Sequence, residues 1–265
     1  MVGRKGAIEV IRILFLGIAG AAALLLSPAG ASAQRGEYPG FSRADFEREF
    51  RNTSGGIVLA ALERNFPDDA RALMDRLYQL TWEHRANVNA VLAPTLQEML
   101  SLFQSKAAGI RNAPPAALRT VMERRLELYR MLEREDVALC SRLATAQPGS
   151  MNSLPPRFAS LTSAASVALI DAAGAGSRNR AIPGRGQLSD ADAVAWTTAI
   201  QGLDRGPEVL AVLSDPAALT NADPALQCRS GVLTYEATLA LPAEASGNVA
   251  AWLLLFELGL ISEGN

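Results

Sequence analysis

The chain has 265 residues, 49% of them hydrophobic and 20% charged, with a formal net charge of −2. A composition this apolar builds a core and excludes an intrinsically disordered chain. The near-balance of charge gives no general reason to expect nucleic acid or an acidic membrane surface as partner. One histidine and two cysteines exclude most metal schemes, which draw several His or Cys ligands at fixed spacing. No metal site and no cofactor is expected.

The N-terminus carries the strongest pattern. Arg4, Lys5 and Arg12 make a basic start, and residues 13–26 are uncharged and almost wholly apolar. Ser27-Pro28 ends that run, and Ala31-Ser32-Ala33 offers a small-x-small cleavage site before Gln34. This is the form of a secretory signal peptide. As an uncleaved anchor it falls short of the ~20 apolar residues a spanning helix takes. No Cys follows the run to be lipidated, and no Arg-Arg pair precedes it, which favours the general export route. Removing residues 1–33 leaves 232 residues with 22 basic against 26 acidic, a net charge of −4. A chain of that size buries about 70% of its unfolded surface and needs no staple in order to fold. The expected location is periplasmic or secreted, with no stable membrane span after cleavage.

Residues 34–40 read as a polar leader. Ser42 with Asp45 three residues on marks a helix start, and Phe41 and Phe46 occupy the positions of a hydrophobic staple. The spacing predicts a helix over 42–51, broken by Asn52-Thr53-Ser54-Gly55-Gly56. Ile57, Val58, Leu59, Leu62 and Phe66 then form a second short helix ended by Pro67. Pro67-Asp68-Asp69 places Pro and two acids at the next start, where the macrodipole favours them. That helix has the stripe Leu73, Leu77, Leu80 and runs through Trp82 and His84. Pro94 kinks or divides the stretch 87–110, which carries Leu92, Leu96, Met99, Leu100 and Phe103.

After a turn over 109–115, residues 115–147 read as one long amphipathic helix. Leu118, Met122, Leu126, Tyr129 and Leu132 form its buried stripe, with Cys140 and Leu143 further along. The Glu/Arg mixture over 119–136 is its predicted wet face. Residues 147–156, with Pro148, Gly149, Pro155 and Pro156, form a linker. Helix-like spacing returns over 157–173, and the Gly- and Arg-rich stretch 174–187 reads as an exposed loop.

Ser189 with Asp192 restarts a helix carrying Val194, Trp196 and Ile200. Gly206-Pro207-Glu208 opens a short one. Asp215-Pro216 and Asp223-Pro224 each pair an N-cap with Pro at the first helical position. In the second of these, Cys228, Val232, Tyr235 and Leu239 share one face, so Cys228 points inward as Cys140 does. Pro242 ends it. The last helix, over 248–260, is a buried core helix with Trp252, Leu253, Leu254, Leu255 and Phe256; its apolar run is too short to span a bilayer and includes Glu257.

Strand signals are nearly absent. The expected fold class is all-α, a multi-helix bundle or stack of helical hairpins with about eight to ten helices. The expected organisation is a signal peptide over 1–33, an N-terminal helical region over 34–147, and a linker, helix and Gly/Arg-rich loop over 148–187. A C-terminal helical region over 188–265 packs on the first, giving one domain overall.

Cys140 and Cys228 in an exported chain suggest one disulfide, worth about 4–5 kcal/mol by loop entropy; the alternative is two buried thiols. A Ser-His-acid triad would need His84, whose place beside Leu77 and Leu80 reads as structural. Asp68 with Asp69, Asp190 with Asp192, and Glu133 and Glu135 with Asp136 could supply the two carboxylates of a polymer hydrolase. The first two pairs sit at helix starts and the third on a charged face, so no catalytic residue is assigned.

Arg178, Arg180 and Arg185 are the ligand-contact candidates. Gly-rich backbone can cradle an anion and Arg can bind it bidentately, but the Lys-Ser/Thr of a phosphate loop is missing. No basic stripe with interleaved aromatics supports nucleic acid. These residues point to a non-catalytic binding or interaction module of the cell envelope, with an envelope protein or a small molecule as partner. The alternatives are an envelope-polymer hydrolase and a carrier holding a small ligand between helices.

Overall fold

A computed structural model describes residues 42–83, 89–145 and 155–261. The expected signal peptide over 1–33, the polar leader, Phe41, His84 and most of the 147–156 linker lie outside the described residues. Those described are all-helical, with no strand among them. They form thirteen α-helices and one 3-10 turn, Pro156–Phe158, more than the expected eight to ten.

The starts follow the caps. Helix α1, Arg43–Arg51, opens on a capping box in which the Ser42 hydroxyl accepts from Asp45 N and the Asp45 carboxylate accepts from Ser42 N. The Ser42 hydroxyl first, then the Arg48 guanidinium, holds the Asp45 carboxyl below its usual range. Thr53 caps α2, Ser54–Asn65, and Pro67 opens α3, Pro67–Glu83. Helix α4, Asn89–Ser105, carries Pro94 inside it and is followed by the one-turn α5, Ala107–Arg111.

The predicted long helix over 115–147 is two helices, α6 (Pro115–Glu135) and α7 (Val137–Ala144). The break is Asp136, whose backbone leaves the helical region at φ −156°, ψ 75°. Its N–H still donates to Leu132 O at 2.8 Å, while its carboxylate accepts from Leu139 N at 2.9 Å. An Asp side chain that can cap its own chain competes with the continuing helix. Residues of the predicted stripe, Leu118, Met122, Leu126, Tyr129 and Leu132, are all buried.

Helix α8, Ala159–Ser177, runs through Gly174 and Gly176, both expected in a loop. Gly176 lies against the C-terminal end of α5, and a methyl group there would overlap the Gly109 carbonyl oxygen. The glycine is therefore a point of close helix approach rather than a breaker. Helices α9 (Asp190–Gln201), α10 (Gly206–Leu213), α11 (Pro216–Asn221), α12 (Pro224–Ala240) and α13 (Ala243–Glu257) complete the chain. Ser189, Asp215 and Asp223 cap α9, α11 and α12 as their sequence positions predict.

Helix α12 packs against α6, α7, α9, α10 and α13, while α8 packs against α2, α5 and α6. One cluster of buried side chains runs from Phe46 on α1 to Leu258 after α13. The predicted single buried face of α12 is too narrow. Ser230, Gly231, Leu233, Thr234, Ala237 and Thr238 are buried along with Cys228, Val232 and Tyr235. Its hydroxyls return to its own backbone, Thr234 to Ser230 O at 3.0 Å and Thr238 to Thr234 O at 2.8 Å. Polar residues that satisfy themselves within a helix can be buried on any face.

Gly176→Ala should destabilise the protein by about 1–3 kcal/mol through overpacking, read as a lower midpoint in denaturant. A midpoint unchanged from wild type would contradict the close approach of α5 and α8.

Candidate functional site

Cys140 and Cys228 form a disulfide, Cα to Cα 5.1 Å, across 88 residues of sequence. Both are fully buried, and the bond ties α7 to α12. The Cys140 sulfur lies 3.9 Å from Tyr129 O. Alongside the bond, the Ser141 hydroxyl donates to Gln227 Oε1, and Gln227 Nε2 donates to Leu219 O at 2.9 Å and Thr220 O at 3.0 Å.

A buried cluster of ionisable groups joins α6, α12 and α13. Arg125 pairs with Glu257, their side chains 13% and 1% exposed. Tyr235 donates to Glu257 Oε1 at 3.4 Å, and the Tyr129 and Tyr235 rings lie 5.2 Å apart. Burial pushes the Glu257 carboxyl up, and the Arg125 guanidinium opposes it. Burial is the largest influence on Arg125 and disfavours its charge, but the Glu257 carboxylate and Tyr235 together hold Arg125 above its ordinary value. Burial raises both tyrosines. Arginine stays charged inside proteins, so Glu257 is its counter-ion and locks α13 onto α6. Arg125 therefore leaves the predicted wet face, on which Arg119 pairs with Glu123 at 3.1 Å and Arg124 with Glu127 at 2.8 Å. The only sequence signal for Glu257 was a lone charge closing an apolar run.

The carboxylates singled out by sequence sit at helix ends and helix contacts. Asp68 pairs with Arg71, and Asp69 with Lys106 at 2.7 Å, whose ammonium lies over the Phe66 ring. Asp192 accepts from the Ser189 hydroxyl at 2.7 Å and from Asn248 Nδ2 at 3.3 Å, while Asp190 lies beside it in the first turn of α9. Glu133 reaches Arg229 at 3.7 Å and Glu135 reaches Arg157 at 3.3 Å. Of the tryptophans, Trp196 is buried with its indole N–H donating to Thr234 O at 3.3 Å, and Trp252 stacks on Phe256.

The three arginine candidates part company. Arg178 and Arg180 are exposed as expected, on the loop that follows α8. Arg185 is only 4% exposed, which corrects the exposed-loop expectation at that position. It donates to Ala113 O at 2.9 Å, Asn248 Oδ1 at 3.3 Å and Glu244 Oε2 at 2.7 Å. These three bonds from a rigid guanidinium fork pin the loop to the start of α13 and the turn before α6. Upstream, Asn179 Nδ2 donates to Asn112 O, and Ile182 N to Asn112 Oδ1, both at 3.2 Å. Sequence reasoning missed Arg111, next to Asn112 at the end of α5. It is exposed, and its side chain lies against Gly186, which takes a positive φ of 87°. Arg111 at the end of α5, and Arg178 and Arg180 on the loop, are thus exposed on two stretches that Asn112 ties together.

No group of His, Cys, Asp and Glu among the described residues could hold a metal ion. No helix among them is long and apolar enough to cross a membrane. Comparison with known protein families, curated proteins and solved structures finds no match to this chain.

Glu257→Leu leaves Arg125 buried without its counter-charge and should cost about 3–5 kcal/mol, while Arg125→Met with Glu257→Leu should recover most of that loss. Denaturant unfolding of the three proteins measures it. A double variant as unstable as the single one would contradict the role of Glu257 as the counter-ion of Arg125.

Proposed function

We propose that the chain is an exported bundle of helical hairpins, closed as one domain, that acts in the cell envelope as a non-catalytic binding or interaction module. Two features support export: the form of residues 1–33, and a cysteine pair oxidised in the core, as persists in oxidising compartments. The observation that carries the non-catalytic reading is the use made of the carboxylates. Asp69, Asp192, Glu133 and Glu135 each meet a basic or polar group of a neighbouring helix or turn, and Asp136 caps α7. A glycosidase instead aims two carboxylates at a substrate, about 5–9.5 Å apart across the scissile bond. The buried Glu257 faces Arg125 and Tyr235 rather than a second acid.

Affinity capture with the mature chain from the native envelope, with mass spectrometry of proteins and small molecules, tests this reading. A specific partner retained through washing is the expected result. Release of soluble fragments from envelope polymer by the purified protein, abolished by Asp192→Asn, would replace it with the hydrolase reading.

A further inference from the structure

We propose that Arg111, Arg178 and Arg180 form the docking surface for an acidic segment of a partner protein. The inference rests on the interaction-module reading and names the chemistry of the partner.

Most arginines of the described residues face a carboxylate of the same chain. Arg43, Arg51, Arg64, Arg76, Arg119, Arg124, Arg130, Arg157 and Arg229 all do so. Arg111, Arg178 and Arg180 have no carboxylate of the described residues within ion-pair distance. In a chain of net charge −2, exposed cations with no carboxylate partner among the described residues stand out on the two stretches that Asn112 joins. Two of them have a structural reason to be there. Arg111 ends α5 and Arg178 is the C-cap of α8, where cations suit the carbonyl end of a helix. Arg180 lies beyond the reach of that effect, which falls off within the last turn.

The backbone beneath them is fixed. Asn112 takes a hydrogen bond from each side of Arg180, through Asn179 and Ile182. Five residues further on, the buried Arg185 fastens the loop to Ala113, Glu244 and Asn248. A surface held in advance loses little freedom when a partner arrives. Arginine forks match carboxylates two bonds at a time.

The surroundings favour a protein segment over a membrane. Basic segments that bind anionic lipid usually gather about four to eight Lys and Arg, and three are present here. The exposed large hydrophobic residues of the described part, Ile57, Val194 and Leu260, lie on other elements.

The test is fluorescence anisotropy of the mature protein with a labelled oligoglutamate peptide of about ten residues. Vesicles of phosphatidylglycerol in phosphatidylcholine form a second arm. Peptide binding should weaken as salt rises, and roughly tenfold or more on Arg178→Glu with Arg180→Glu. Arg134→Glu, an exposed arginine elsewhere on α6, should leave it unchanged. All variants should keep the helical content of wild type by circular dichroism, the double variant losing only a few degrees of melting temperature from the reversed charge at the end of α8. Loss of peptide binding in Arg134→Glu as well, binding to vesicles alone, or no binding in either arm each overturns the proposal. Envelope capture repeated with the double variant separates the two readings. A partner held equally by both proteins rejects this surface and keeps the module, whereas no partner for wild type rejects the module itself.

Discussion

Helix α12 leaves almost no face for solvent, and much of the molecule is arranged to satisfy it. A buried polar group left unpaired costs about 1–3 kcal/mol, and α12 buries Gln227, Ser230, Thr234 and Thr238. Each has a partner: Ser230, Thr234 and Thr238 bond carbonyls one turn back, and Gln227 bonds the end of α11 and accepts from Ser141 on α7. Trp196 reaches in from α9 to the Thr234 carbonyl. The Cys140–Cys228 bond then fixes α7 alongside. Without it, the long chain between these cysteines would regain its loop freedom when unfolded.

The same logic of buried charge orders the rest of the core. Glu257 is inside because Arg125 comes in with it, and Arg185 is inside because Glu244, Asn248 and a backbone carbonyl meet it. The two devices differ in purpose. The first holds α13 against α6 in the interior. The second anchors a loop whose neighbouring residues, Arg178 and Arg180 among them, remain at the surface.

The helix starts were legible because they depend on local chemistry. Ser42, Ser189, Asp215 and Asp223 bond amides two or three residues away, and that requires nothing from the rest of the fold. Cys140 and Cys228 were legible as inward-facing from helical spacing alone. What sequence could not show was tertiary. Arg125 has the surroundings of a surface residue in sequence, and only the arrival of Glu257 from 132 residues away takes it inside. Gly174 and Gly176 resemble loop glycines because composition does not reveal the helix that will lie against them. Asp136 misled for a local reason: as a cap it ended a helix whose apolar pattern continued past it. Arg111 carries no motif, and its place in the proposed surface depends on Asn112, which holds the loop.

One sulfur–sulfur bond joins α7 to the buried α12 and fixes their packing. The most direct measurement is thiol titration of the mature protein, denatured without reductant, followed by peptide mapping. The expected result is no free thiol and a single linked peptide pair containing Cys140 and Cys228. Two titratable thiols would contradict it.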